Sequence, residues 1–221
     1  QDPDSPVYTL LPKLKMPALE QEEVNSIIQE AQAIENTWSK LLGDAEQFLK
    51  NSEFGKAKVK FKEALDLNPN DSYLIQRLTL ATYKDEKPNK VTALMDALSI
   101  LAKLDFKNSN DPETTGLAGA INKRLWVETQ NVSFLEEAII AYKRGFILKR
   151  DYYNGENLIL CNLLMSEIQV KRSNLEAYYL IEANKVAHDV LQNVKDILIT
   201  SFTDKRSDYK WILATMAKLS F

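Results

Sequence analysis

Lys123, Arg124 and Trp126 stand together in "INKRLWVET", and further along Tyr152, Tyr153 and Asn157 crowd into "DYYNGENL". Adjacent cations suit the capture of a carboxylate, because a guanidinium offers a planar fork of charge-assisted donors. In the groove of a helical array, Lys123 and Arg124 would hold an acidic peptide end. The competing reading is a solvated helix face with Trp126 packed beneath the next helix pair. Tyr152 and Tyr153 are read as covering a joint between helices, with binding by either left open. These six residues form the candidate partner-binding surface.

Nothing else in the chain assembles into catalytic chemistry. The lone histidine, His188, has no second His or Cys at ligand spacing, so a zinc site is not expected. Cys161 sits in "LILCNLLM" among core residues with no base nearby, which suits a small buried side chain better than a nucleophile. Carboxylates are plentiful, but no pair has surroundings that would split two pKa values. Lys56, Lys58, Lys60 and Lys62 are spaced by two, which scatters them around a helix as surface charges. The reading therefore assigns no catalytic residue, cofactor or metal, and the chain itself reads as non-enzymatic.

The elements that must position these side chains are helices. The 221 residues carry 45% hydrophobic and 27% charged positions, with only six glycines and seven prolines. So few turn-formers disfavour an all-β fold. A net charge of −3 gives no electrostatic case for nucleic acid. The longest apolar run is about five residues, against the ~20 needed to cross a bilayer. A single cysteine and no secretory pattern point to a cytoplasmic setting. The chain does not begin with Met, so it reads as a processed or excised piece, which leaves open a catalytic domain before residue 1.

Residues 1–18 hold prolines at 3, 6, 12 and 17 and read as a Pro-rich linker or docked arm. Residues 19–221 read as one helical-repeat domain. Val24, Ile27, Ile28, Ala31 and Ile34 form an apolar face at i, i+3, i+4 spacing. Helices are then predicted at 38–50, 54–67, 72–84, 90–104, 112–127, 133–149, 155–170, 174–200 and 206–220, about ten in all. Asp111-Pro112-Glu113 is a helix start with Asp as N-cap and Pro in the first turn.

An internal repeat decides between bundle and array. Leu41, Ala45, Phe48, Ala57, Phe61, Ala64 and Pro69 are spaced 4, 3, 9, 4, 3 and 5 apart. That pattern resembles the tetratricopeptide repeat, with Asp44 standing where leucine is usual. The fold expected is an all-α, tetratricopeptide-like α-solenoid of antiparallel helix pairs. A second pair at 72–104 offers Ala93 and Ala97 as small contacts. A third, at 113–150, offers Gly119, Ala138, Tyr142 and Gly145, with about seven residues of excess assigned to the loop "VETQNVS".

The stretch Asp111–Asn157 also resembles the TRAFs-binding region of the apoptosis signal-regulating MAP kinase kinase kinases, and bacterial relatives in which such repeats follow a TIR-like or nucleotide-signalling domain. Gly119, Ile121, Lys123, Tyr142, Gly145, Phe146, Tyr153, Gly155 and Asn157 carry that resemblance; Asn122 departs from it, since tyrosine is usual there. The resemblance implies a non-catalytic module that scaffolds a protein partner in signalling, with a protein or peptide in the concave groove. The alternative is the regulatory part of a larger effector enzyme. A homodimer is a further alternative, because open arrays need capped ends. In "DYYNGENL" the expectation is an inter-repeat joint, with Asn154 as N-cap and Gly155 giving the preceding helix room.

Overall fold

The computed structural model describes residues 21–200 and 206–219. The expected arm at residues 1–18 lies outside them. Nine α-helices run through the described residues, with no strand: α1 (Gln21–Lys50), α2 (Phe54–Leu67), α3 (Ser72–Asp85), α4 (Lys90–Leu101), α5 (Pro112–Thr129), α6 (Val132–Lys149), α7 (Tyr152–Ile168), α8 (Asn174–Thr200) and α9 (Tyr209–Leu219). Each helix packs on its sequence neighbour, giving the antiparallel pairs α1/α2, α3/α4, α5/α6 and α7/α8. The first members also touch along the stack, α3 on α5 and α5 on α7.

Punctuation is chemical. Asp71, Asn89, Asp111, Asn131 and Asp151 cap five helices, each accepting a backbone N–H of the first turn. Pro112 occupies the first turn of α5, where a missing N–H costs nothing. The first repeat packs as its spacing predicts: Ala45, Ala57, Phe61 and Ala64 are fully buried, and Leu41 and Phe48 pack against them. Asp44 is exposed, so its departure from leucine buries no charge.

Three expectations need correction, and a fourth, on Gly155, is extended. The apolar face at 24–34 and the helix at 38–50 are one 30-residue helix, since Glu35, Asn36 and Thr37 contain no breaker. The excess of the third pair is not in a loop: α5 and α6 have 18 residues each, and only Gln130 and Asn131 separate them. Asn154 is not the cap of α7. Asp151 is, and Asn154 lies buried in the first turn, its N–H donating to Asp151 Oδ1 at 2.7 Å. Gly155 makes room for α8 as much as for the preceding helix: a Cβ there would meet Val190 Cγ2 at 2.2 Å and Phe146 at 3.0 Å.

Candidate partner-binding surface

Helix α5 is the centre of the stack. Residues 114–122 are all buried, enclosed by α4, α6 and the first-member neighbours α3 and α7. Past Asn122 the helix emerges, and consecutive residues turn about 100° apart. Lys123 therefore meets α7, while Arg124 meets α3.

Lys123 Nζ donates to Asn157 Oδ1 at 2.5 Å, and the Asn157 amide donates on to the Tyr153 carbonyl at 2.8 Å. The ammonium also lies 6.0 Å from the centroid of the Tyr142 ring. Burial holds the Lys123 pKa below its ordinary value. Tyr142 is fully buried, and a Cβ on Gly119 would meet its ring at 2.8 Å, so the glycine is what lets the ring lie against α5. The Tyr142 and Tyr153 rings stand edge-on with centroids 6.3 Å apart. Burial raises the pKa of both phenols, so both stay neutral donors. Tyr153 is half-exposed.

Arg124 is exposed, with its guanidinium 5.1 Å over the ring of Tyr83 and one N–H on the Ala120 carbonyl at 2.9 Å. At the end of α3, Lys84 lies 5.6 Å from the centroid of the Phe54 ring at the start of α2. Lys84, Arg124 and both rings line a cavity of about 350 Å³ that Lys90, Glu86, Leu94 and Glu128 complete. Lys90 is paired with Glu128 at 3.4 Å. Among the described residues, neither Lys84 nor Arg124 has a carboxylate within ion-pair distance. Burial pushes the Tyr83 phenol up to about 12, so it too remains protonated. The cavity thus presents two exposed cations, each held over an aromatic face, with Glu86 and the Lys90–Glu128 pair at its rim.

A polar chain ties the first-member helices together beside this cavity. Arg77 grips Glu46 with two nitrogens, Nε at 2.7 Å, and Tyr73 donates to the same carboxylate at 2.9 Å. Gln76 reaches Asp111 and Thr114 of the next pair at 2.6 and 2.9 Å.

Of the six residues singled out by type and spacing, Lys123, Tyr153 and Asn157 come together, while Arg124 turns to Tyr83 on α3. Trp126 is half-buried against the core that α6, α7 and α8 share. Tyr152 packs on that same core and lines a separate cavity with Arg206 and Asp208. Tyr83, Lys84 and Phe54 were not singled out, because no local spacing links them to Arg124; only the packing of α3 on α5 does. Elsewhere, His188 is exposed, and Cys161 is fully buried, its thiol pushed up to about 12 by burial. Among the described residues no three His, Cys, Asp or Glu side chains converge on a metal position. No described helix is long and apolar enough to cross a membrane.

Residues 53–162 match the family model TPR-S, Tetratricopeptide Repeats-Sensor. The TPR-S match spans α2 to the middle of α7 and takes in every residue of the cavity and of the Lys123–Tyr142–Asn157 cluster. With the stacked pairs, it makes the chain an all-α tetratricopeptide-like solenoid. Repeats of this type generally mediate protein–protein interaction. No curated protein and no solved structure matches the chain.

Proposed function

We propose that the chain is a non-catalytic recognition module which binds an acidic peptide segment of a signalling partner across α3, α5 and α7. The observation that carries this reading is the pair Lys84 and Arg124, each braced on a ring and, among the described residues, neither in an ion pair. Direct contact among the first-member helices supports a superhelix curved with those helices inside, where a peptide would run as a chain against a concave face. Half-exposed Tyr153, and Tyr83 lining the cavity, supply apolar area with neutral donors, which suits a peptide backbone. The resemblance to the regulatory repeats of apoptosis signal-regulating kinases supports a regulatory setting, as does the word "Sensor" in the family description.

The test is a fluorescence-anisotropy titration of labelled acidic, neutral and basic decapeptide pools into the whole chain. Binding of the acidic pool alone is expected, weakened about tenfold or more by Lys84→Glu/Arg124→Glu. Equal binding of all three pools, or no effect of the double substitution, would sink the reading.

A further inference from the structure

The N-terminal half of α1 carries an apolar seam that no described part of the chain covers. Val24, Ile27, Ala31, Ile34, Trp38, Leu41, Ala45 and Phe48 follow one another at alternating spacings of three and four, a continuous heptad a/d series. Its second half, from Trp38 to Phe48, packs against the core of the first repeat. The first half does not, for a reason of length: α1 has 30 residues and α2 only 14, about 45 Å against about 21 Å. Ile27 is 54%, Ile28 48% and Ile34 54% exposed. Ile27 and Ile34 lie in the seam and Ile28 beside it at an e position, an exposed apolar stripe at heptad spacing.

Charge names the occupant. Residues 21–37 contain Glu22, Glu23, Glu30 and Glu35 and no lysine or arginine. In the heptad frame Glu30 and Glu35 take the g and e positions that flank the seam, where partner choice is made. In a parallel pair of two copies, Glu30 of one copy would face Glu35 of the other; in an antiparallel pair the same acids would meet their own kind. Like charges so placed repel, so a second copy is disfavoured. The cations of α1, Lys40 and Lys50, lie on the half that α2 already occupies.

We infer that the first half of α1 docks a basic amphipathic helix of another protein, one with aliphatic a and d positions and Lys or Arg at e and g. This surface is independent of the Lys84–Arg124 cavity and opposite to it in charge, so a single partner or two could engage the module.

The probe is a synthetic peptide of about three heptads with leucine and isoleucine in the seam and lysine at e and g. Titrated into the whole chain, it should bind with an affinity that falls as salt rises. Ile27→Ser/Ile34→Ser should weaken it about tenfold or more, and Glu30→Lys/Glu35→Lys by a similar factor. A version with glutamate in place of lysine should bind wild type poorly. These positions are exposed, so unchanged circular dichroism will separate lost binding from lost folding. The inference fails if the peptide binds the substituted chains equally well. It also fails if wild type sediments as a dimer that Ile27→Ser/Ile34→Ser dissociates, which would assign the face to a second copy. Binding that appears only after Lys13→Glu/Lys15→Glu would instead assign it to the chain's own N-terminal segment.

Discussion

In α1–α4 the helices approach one another through alanine. Ala45, Ala57, Ala64, Ala81, Ala93 and Ala97 are all fully buried, and the space between them is filled by Phe61 and aliphatic residues. In α5–α7 buried alanines at 118, 120 and 138 are joined by four glycines: Gly116, Gly119, Gly145 and Gly155 each lie where a Cβ would press on a neighbour at 3.2 Å or less, against Gly55 alone in α1–α4, which faces the Asp85 carboxylate at 3.0 Å. The reason is what fills the second region. Tyr142 adds a hydroxyl to a ring the size of Phe61's and lies against Gly119, while the buried Asn154 and Thr115 side chains lie against Gly145. Removing the Cβ brings the helices close enough to place a phenol, an amide and a hydroxyl between them. The two pairs of the first region are therefore mainly apolar, with the buried Thr79 and Thr82 hydroxyls returned to their own helix, while the second trades side-chain volume for a buried polar layer directly behind the candidate surface.

The sharpest break in that contrast should come at Gly155. Valine there must displace Val190 on α8 and the Phe146 ring on α6 at once, and overpacking of this kind costs about 3 kcal/mol. Urea denaturation of Gly155→Val should show a midpoint far below wild type. An unchanged midpoint would mean that α8 yields, and that glycine at the α7–α8 contact is not required.

The alanine region is also the one most legible beforehand. Leu41 to Pro69 carry their contacts in a short, ordered spacing, because both helices of the pair come from adjacent sequence. Asp111-Pro112-Glu113 announces its helix for the same local reason. The cavity is not legible in that way: Tyr83 and Arg124 meet only because α3 packs on α5, and nothing near either residue encodes the other. Asn154 was open to misreading because Asn is a good N-cap; the better signal was Asp151, three residues before it, whose carboxylate accepts the Asn154 N–H. The continuity of α1 was readable from the lack of Gly or Pro between Ile34 and Trp38. The lengths of α5 and α6 were not, since polar residues such as Glu128 and Thr129 suit a helix end and a loop equally.

The polar contacts offer a gentler way to separate the regions. Burial pushes the Glu46 carboxyl up, but hydrogen bonds from Arg77 and Tyr73 outweigh it and hold the pKa below its ordinary 4.5. A carboxyl lowered in the folded state adds stability above its unfolded pKa, and that contribution disappears as pH falls through the folded value. Glu46→Gln should thus cost about 1 kcal/mol at neutral pH, given a two-point grip that is partly exposed. The cost should shrink in acid below 4.5. Denaturation curves of both proteins at neutral and acid pH will show this as converging midpoints. A constant gap would mean that Arg77 stabilises the α1–α3 contact through packing and not through charge.

The smallest effect, and the one that most directly tests why glycine is present, is expected at Gly43. It lies inside α1 on an exposed face, and a Cβ there would meet nothing within 4 Å. Here glycine only adds freedom to the unfolded chain, so Gly43→Ala should stabilise by about 0.5–1 kcal/mol. In a chain of this size that raises Tm by about 1–3 °C. The same substitution at Gly145 should act in the opposite direction, since its Cβ would fall 2.6 Å from Asn154 Oδ1 and 2.8 Å from Thr115 Oγ1. Matched thermal melts of the two variants isolate the contact from the backbone effect, because both replace a helical glycine with alanine. If both variants rise together, helix propensity dominates and the buried polar layer tolerates a methyl group. A gain at Gly43 with a loss at Gly145 would establish that the second region holds its glycines to keep Asn154 and Thr115 against the backbone of α6.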